Sequence, residues 1–279
     1  MTPAPPRLPA GACDAHLHVF DPRFPAAAPH AMRTGATAAD YLALRQRLGL
    51  ERAVIVQPRA HGTDNRVTLD AIRVLGPRQT RGIAVLRPDV DDAMLQSLHD
   101  GGIRGIRFSL YTERDAMVRL DMLEPLARRV AALGWHVQLH WRADQIADQR
   151  ELLQRLPCTL VFDHMARLPL REGTGHPAFD VVRGLVQRGR AWVKLSGPYL
   201  NSATGLATGY ADSDALAHAW VSEAPERLVW GSDWPHVTET ANPPDTAMLL
   251  VLLGRWIPDT ATRARVLAAN AAALYGFDD

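Results

Sequence analysis

The chain has 279 residues, 47% of them hydrophobic, which is enough apolar material for one large domain with a substantial core. Its 31 basic and 30 acidic residues leave a net charge of +1 and are scattered, without the basic block that tracks a phosphate backbone. We therefore expect no nucleic-acid partner. No apolar run approaches the ~20 residues that cross a bilayer, so we expect no membrane partner and a cytoplasmic location. These patterns make no prediction of oligomeric state.

The first ten residues are rich in proline and alanine but lack the basic start and apolar core of a signal peptide. We predict a disordered tail over 1–10 and a single domain over 11–279. Cys13 and Cys158 are the two cysteines, and neither lies in a metal or redox spacing. They are expected to be reduced, packed thiols.

Eight short apolar runs alternate with helical patterns along the chain. Strands are predicted over 12–18, 53–57, 81–86, 105–108, 136–140, 159–162, 192–196 and 228–230. Helices are predicted over 37–48, 65–75, 91–98, 122–133, 143–156, 178–187, 211–222, 246–256 and 260–274, with Thr37, Asp91 and Thr260 as N-caps. The spacing leaves room for a crossover helix each time, as parallel strands require. The pattern predicts an α/β fold, a (β/α)₈ TIM barrel.

Three common site types are absent from the sequence. No Gly-x-Gly-x-x-Gly follows the first strand, which argues against an open dinucleotide-binding sheet. Neither a P-loop nor a Gly-x-Ser-x-Gly elbow occurs. These absences exclude the commonest nucleotide-binding and serine-hydrolase interpretations.

Polar side chains cluster at predicted strand ends, where a barrel of this type keeps its active site. Strict alternation places Asp14, His16 and His18 on one face of the first strand, pointing into the barrel. Buried imidazoles need a partner, because an unpartnered buried polar group costs roughly 1–3 kcal/mol. Hydrogen-bonded core histidines would satisfy that need. The further residues His140, His164 and Asp233, at the ends of strands five, six and eight, favour a functional site instead; Asp163 could simply cap the next helix.

Several motifs together carry a resemblance to a known family. They are Cys13-Asp14-Ala15-His16-Leu17-His18, Gly102-Ile103-Arg104-Gly105-Ile106-Arg107-Phe108, Gly134-Trp135-His136-Val137, Asp163-His164-Met165 with Arg167, Lys194 with Ser196-Gly197-Pro198, and Trp230-Gly231-Ser232-Asp233-Trp234-Pro235-His236. With them the chain resembles the amidohydrolase superfamily, in the branch of 2-pyrone-4,6-dicarboxylate lactonase-like and sugar-acid lactonases. The resemblance implies a distorted barrel that opens lactones by water attack without a metal. It also implies Asp233 as general base, with His16, His18 and His164 around the carbonyl.

Lactone hydrolysis needs a base for water, donors for the developing oxyanion and an acid for the departing alkoxide. Asp233 is the expected base and can return its proton to the leaving oxygen. His16, His18 and His164 would polarise the carbonyl. A Zn²⁺ ion could do the same and lower the pKa of its bound water to about 7.

We expect no cofactor, with one divalent metal, Zn²⁺, as the alternative. His16, His18, His140 and Asp233 have the donor types that a single Zn²⁺ prefers. In the metal-free lactonase the position of His140 is a tyrosine, so this chain departs towards a metal-capable set. A two-metal site of the superfamily, which uses a carbamylated lysine, is excluded because no lysine lies near strand four or five.

Arginines predict the character of the substrate. Arg59, Arg87, Arg107, Arg142 and Arg167 follow strands two to six, and an arginine fork pairs a carboxylate, so a small anionic substrate is expected. Any one of them could instead be a solvated loop residue. By the resemblance, Arg107 and Arg167 hold a substrate carboxylate.

His140, Arg59 and Tyr199 are further candidate substrate contacts. The lactonase pattern has an arginine near the place where this chain has Tyr199 and Leu200. A monocarboxylic, sulfonated or sugar-acid lactone is therefore favoured over the pyrone dicarboxylate itself.

The sequence thus predicts a lactone hydrolase acting on a 2-pyrone-dicarboxylate-like, muconolactone-like or sugar-acid lactone in aromatic or sugar-acid catabolism. A lactone isomerase would begin at the same carbonyl. A Zn²⁺-dependent decarboxylase would use His164 as acid. A Schiff-base lyase would use Lys194, whose parity with Ser196 places it inside the barrel. A binding protein without catalysis would keep the arginines and lose the base.

Overall fold

The computed structural model describes residues 8–112, 114 and 116–278, so most of the expected tail over 1–10 lies outside the described residues. Eight parallel strands follow one another in chain order around a barrel. They are β1 (Cys13–Leu17), β2 (Arg52–Val56), β3 (Thr80–Ala84), β4 (Ile103–Ser109), β5 (His136–His140), β6 (Leu160–Phe162), β7 (Ala191–Leu195) and β8 (Leu228–Trp230). The predicted (β/α)₈ barrel is confirmed.

Helices cover the outside of the barrel. They are α1 (Ala38–Leu48), α2 (Arg66–Leu75), α3 (Asp92–Asp100), α4 (Leu123–Ala131), α5 (Ala143–Asp148), α6 (Arg150–Arg155), α7 (Pro177–Gln187), α8 (Asp214–Glu223), α9 (Thr246–Trp256), α10 (Thr260–Ala264) and α11 (Asn270–Tyr275). The single helix predicted over 143–156 is wrong, because the backbone of Gln149 leaves the helical region and divides it. No helix among the described residues combines the length and apolarity needed to span a membrane.

Two of the three predicted N-caps are confirmed. The Thr37 side chain accepts from the Asp40 backbone in a capping box, and Asp91 accepts from Met94. Thr260 is wrong as a cap. Asp259 accepts from the Thr262 backbone instead, and Thr260 is the first helical residue.

The barrel closes where β1 meets the segment after β8. Asp233 N donates to His16 O over 2.8 Å, and His18 N donates to Trp234 O over 2.8 Å. Gly231 permits this approach, since a Cβ there would lie 2.6 Å from His16 Cβ and 2.9 Å from His16 N. Closure therefore brings the Asp233 carboxylate against the two histidines of β1.

The predicted alternation in β1 is wrong at Asp14. The register between β1 and β2 shifts between Asp14 and Leu17, which breaks the period of two. Asp14 points towards α1, where Tyr41 Oη donates to it at 3.1 Å. It also accepts from the backbone N–H of Ser232, after β8, at 2.8 Å. Burial raises the pKa of Asp14 to about 6. This carboxyl group fixes the chain just before Asp233 and is not part of the site.

Apolar side chains form two main layers. The larger lies between strands and helices. The smaller layer contains alternate residues of neighbouring strands, which identifies it as the barrel interior, and the C-terminal segment closes this interior at one end. It comprises Cys13, Ala15, Val54, Val56, Ile83, Val161, Trp192, Val229, Ala271, Tyr275 and Phe277. Polar residues occupy the rest of the interior, towards the carboxyl ends of the strands.

Candidate active site

Asp233 lies at the centre of the polar cluster. Its Oδ1 is 3.5 Å from His16 Nε2 and 3.6 Å from His18 Nε2, and its Oδ2 is 4.0 Å from His164 Nε2. The side chain of Asp233 is only 6% exposed. The structure therefore brings the three histidines predicted as catalytic residues together around the Asp233 carboxylate.

Each histidine is oriented by its second ring nitrogen. His18 Nδ1 lies 2.8 Å from Val56 O, which can only accept, so Nδ1 carries a proton. The other ring nitrogen of His18, Nε2, faces the Asp233 carboxylate. His164 Nδ1 bonds with Ser196 Oγ at 2.9 Å. His140 stands apart from the carboxylate, with Nδ1 on Ser109 Oγ at 3.0 Å and its ring stacked on Tyr111.

Burial and charge set the protonation of this cluster. Burial raises the pKa of Asp233, but His164, His18 and His16 more than offset that effect and hold it well below its ordinary value. Burial lowers the pKa of His164 to about 3, and burial together with the Lys194 ammonium lowers that of His16 to about 3. At neutral pH the site thus holds the ionised Asp233 carboxylate beside neutral His16 and His164.

His164 and Arg167 belong to one unusual turn. The φ angles of His164, Met165, Ala166 and Arg167 are 51°, 55°, 61° and 51°, a left-handed run without glycine. Such a conformation costs roughly 1–2 kcal/mol per residue, so surrounding structure must hold it. Gly197 packs against this turn, since a Cβ there would lie 2.8 Å from His164 Nδ1.

A buried polar network lies beneath the histidines. Asp163 Oδ2 accepts from Arg107 Nε at 3.0 Å and from Gln138 Nε2 at 3.1 Å, while Asp163 Oδ1 is 3.6 Å from Lys194 Nζ. Although burial raises the pKa of Asp163, nearby His16, Arg107 and Lys194 hold it well below its ordinary value. The alternative that Asp163 caps a helix is wrong, because its side chain makes no capping bond. No sequence pattern indicated this network.

A cavity of about 390 Å³ opens above Asp233. Its polar lining comprises His18, Arg33, Arg59, Arg107, Ser109, Tyr111, Thr112, His140, His164, Arg167, Asp233 and Thr238. Arg33 and Ser109 were missed by sequence reasoning. Arg33 belongs to the long loop after β1, whose path no pattern reveals, whereas Ser109 ends β4 two residues beyond Arg107 and that parity could have indicated it.

The remaining predicted arginines lie outside this cavity. Arg87 is exposed, with Nε 4.0 Å from Asp89. Arg142 donates to Tyr111 O at 2.8 Å and lines a neighbouring cavity. Of the five arginines predicted near the site, Arg59, Arg107 and Arg167 line it.

Tyr199 differs from its predicted role as a substrate contact. Its Oη donates to Asp233 Oδ2 over 2.6 Å, and His236 Nδ1 lies 3.3 Å from Tyr199 Oη. The residue is buried and is not part of the cavity lining. Tyr199 therefore contacts the predicted base from the side away from the cavity.

The donor atoms of the cluster suit one Zn²⁺, but their hydrogen bonding does not. His16, His164 and Asp233 offer ligand atoms within 4.8 Å of one another, a set that differs from the predicted one by containing His164 in place of His18 and His140. A ligating histidine donates its other N–H to a carboxylate, carbonyl or water. His18 meets that condition. His16 meets it less well, because its Nδ1 has hydrogen-bond geometry with the Lys194 ammonium and only an ion-pair contact with the Asp163 carboxylate, each at 3.3 Å.

Comparison with known proteins places this geometry in context. Residues 13–277 match the Amidohydro_2 family model, described as amidohydrolase. A 2-pyrone-4,6-dicarboxylate hydrolase of Comamonas testosteroni is 36% identical, over 96% of this chain and 91% of the relative. A 4-sulfomuconolactone hydrolase of Rhizobium radiobacter is 34% identical (96% and 91%), and a D-galactarolactone isomerase of Agrobacterium fabrum 32% (97% and 92%). The resemblance carried by the motifs is confirmed.

Solved structures agree with the sequence matches. An apo crystal structure of a protein from Agrobacterium tumefaciens superposes with a TM-score of 0.88 at 31% identity, covering 98% of this chain and 97% of that one. A zinc-bound amidohydrolase from Burkholderia multivorans (TM-score 0.72, 20% identity, coverage 96% and 100%) and a 5-carboxyvanillate decarboxylase from Sphingomonas paucimobilis (0.63, 13%, 96% and 99%) share the fold alone.

Proposed function

Because the chain belongs to the Amidohydro_2 family of amidohydrolases, we propose that its site opens the ring of a small anionic lactone by attack of water on the ring carbonyl. In this role the protein is a lactonase. The observation that carries the proposal is the ionised Asp233 among three imidazoles, beneath a cavity lined by arginines. Two hydrolases among its relatives act, by their names, on lactones that carry carboxylate or sulfonate groups.

Asp233 and His18 are suited to hold the attacking water. The carboxylate is an acceptor, and so is Nε2 of His18 when that ring carries its proton on Nδ1 alone; the two groups lie 3.6 Å apart. A water beside them can donate one proton to each and present its oxygen lone pair to the carbonyl carbon. Asp233 takes the proton as the C–O bond forms. In this proposal His18 accepts a hydrogen bond from the attacking water and does not donate to the carbonyl oxygen.

His16 and His164 are the proposed donors to the carbonyl oxygen. Both are neutral and buried, so they stabilise the oxyanion through hydrogen bonds that are already oriented before reaction. The tetrahedral intermediate collapses as the ring C–O bond breaks, and Asp233 returns its proton to the leaving alkoxide. The product is an open hydroxy acid, and no step requires a metal.

The arginines give the cavity its preference for anions. Arg167 Nε and Nη1 are buried and have no hydrogen-bond partner among the described residues. Donors in this state favour a ligand carboxylate or sulfonate, whose oxygens accept charge-assisted hydrogen bonds from a guanidinium. Arg59 and Arg107 add positive charge to the same cavity. His140 Nε2, which is also unpartnered within the described part of the chain, is a further proposed substrate contact.

The direct test is turnover of a panel of acidic and neutral lactones, followed by proton release, before and after chelation. We expect acidic lactones to be opened and the rate to survive removal of metals. No ring opening across the panel would contradict the proposed function. Activity lost on chelation and restored by Zn²⁺ would contradict the metal-free mechanism. CO₂ release that depends on the metal would identify the decarboxylase alternative.

A lactone isomerase is the second candidate, favoured by the likeness to D-galactarolactone isomerase. In that reaction a hydroxyl of the substrate replaces water at the same carbonyl. Turnover in ¹⁸O-labelled water separates the two: hydrolysis places the label in the product carboxylate and releases a proton, whereas isomerisation does neither.

A further inference from the structure

Lys194 is the single lysine of the chain and lies fully buried beneath His16. Its Nζ donates to Ala15 O at 2.8 Å and to Gln138 Oε1 at 2.7 Å. The third proton of the ammonium faces His16 Nδ1 at 3.3 Å. Because Lys194 lies below the cavity and is bonded on all sides, it is poorly placed for the Schiff-base role considered from the sequence.

Two polar groups, the Lys194 ammonium and the Asp163 carboxylate, lie within hydrogen-bond distance of His16 Nδ1. Asp163 Oδ1 is also 3.3 Å away and interacts electrostatically with His16, but that oxygen has no partner with hydrogen-bond geometry among the described residues. Lys194 Nζ has the required geometry. An ammonium can only donate, so Nδ1 must present its lone pair to it. A neutral His16 then carries its proton on Nε2.

We propose that Lys194 is a positioning residue that fixes His16 as the Nε2–H tautomer, so that His16 directs a proton donor into the space beside Asp233. His16 Nε2 is buried and has no hydrogen-bond partner in the described part of the chain. A donor left free in the unliganded protein is suited to the carbonyl oxygen of a substrate and to the oxyanion that follows. The identity of that oxygen rests on the proposed function; the tautomer does not.

The tautomer is measurable in the wild-type protein without any substrate. ¹⁵N NMR of protein labelled in its histidines distinguishes a protonated from an unprotonated ring nitrogen, and the His16 signals are those that disappear in His16→Gln. We expect a protonated Nε2 and an unprotonated Nδ1. A proton on Nδ1 would overturn the proposal, even if the protein proved to be an active lactonase.

The kinetic test compares two variants of the same buried network. Lys194→Met should lower kcat by about 10²-fold, near the lower end of the loss from removing one oxyanion donor, with KM within about 3-fold. The ¹⁵N signals of His16 should move towards the Nδ1–H form.

Gln138→Met is the matched control, because it disturbs Lys194 and Asp163 but leaves the Lys194–His16 contact. We expect its kcat to stay near the wild-type value. Equal losses of kcat in both variants would mean a general structural role and would overturn the proposal. If Lys194→Met does not fold, the wild-type spectrum decides alone.

Discussion

Arg107 donates from Nε to Asp163 Oδ2 across 3.0 Å, and both side chains are buried. Arg167, by contrast, keeps Nε and Nη1 unpartnered among the described residues and lies over the Tyr111 ring at 4.2 Å. The two arginines that the sequence predicts as anchors therefore differ. One is partly bound by the protein, and the other has more donors left for a ligand.

Replacing Arg167 by Met should raise KM for acidic lactones about 10- to 100-fold, since a hydrogen bond to a charged group contributes roughly 1.5–3 kcal/mol. Neutral lactones should be nearly unaffected. Arg87→Met is the matched control, because Arg87 follows a strand but is exposed outside the cavity. Equal effects of Arg167→Met on acidic and neutral lactones would refute the anchor role.

Replacing Arg107 by Met should also lower stability. The variant leaves the buried Asp163 carboxylate without its guanidinium partner, and breaking a buried ion pair costs roughly 3 kcal/mol. Urea unfolding of Arg107→Met beside Arg167→Met measures the difference. Similar unfolding free energies for the two variants would show that the Arg107–Asp163 pair contributes little.

Asp233→Asn should lower lactone turnover at least ~10³-fold while the fold remains intact. The amide cannot take a proton from water, and a general base typically contributes 10²- to 10⁴-fold. Circular dichroism and thermal unfolding check the fold, and the proton-release assay gives the rate. A variant with ordinary activity would exclude Asp233 as the base.

Tyr199→Phe tests whether Tyr199 acts on the base or on the substrate. Its hydroxyl donates to Asp233 Oδ2, so loss of that bond should change the orientation of the carboxylate and lower kcat about 10-fold. KM should be unchanged, because the residue does not line the cavity. A rise in KM at constant kcat would restore the substrate-binding role predicted from the sequence.

Stability should fall steeply in acid. Burial lowers the pKa of His16, His136 and His164 to about 3, that of His236 to about 4 and that of His140 well below its ordinary value, against 6.5 unfolded. The unfolded chain therefore binds protons first, and stability present above pH 6.5 is lost as the pH falls. Asp14 has the opposite effect: because its pKa is raised in the folded protein, it binds one proton there that the unfolded chain does not bind. A net uptake of about four protons gives a loss of roughly 5 kcal/mol per pH unit near pH 5.5.

Urea unfolding at several pH values between 7 and 5 measures that slope. His136→Gln is an informative variant, because His136 packs against Tyr275 at the closed end of the barrel, away from the cavity. This variant should reduce the pH dependence of the unfolding free energy by the contribution of about one proton. An unfolding free energy independent of pH over this range would show that the histidines are not held neutral.

The fold was predictable because its signals are local and repeated. Each strand is a short apolar run, and each crossover helix shows its own hydrophobic periodicity. The number of strands, eight, can therefore be predicted without information on long-range contacts. The error at Asp14 has a physical origin. A shift of register in β1 reverses the facing of its side chains, and it arises from pairing with β2, which the sequence of β1 alone does not encode.

The site was predictable where function follows strand ends, as for His16, His18, His164 and Asp233. It was not predictable where long-range contacts assign the role. Tyr199 is directed to Asp233 by a loop after β7, and Asp163 joins Arg107 and Gln138 from neighbouring strands. Arg33 reaches the cavity through a loop with no periodic pattern.

The left-handed turn from His164 to Arg167 joins the proposed carbonyl donor to the proposed anion anchor through the main chain alone. Non-glycine residues have only a small allowed region at positive φ, so this turn has little freedom to lengthen or shorten. It therefore acts as a spacer of fixed length between the reacting carbonyl and the acidic group of the ligand. Lactones should be selected by the number of bonds that separate those two groups, and an acid displaced by one methylene would miss Arg167 when its carbonyl is in place.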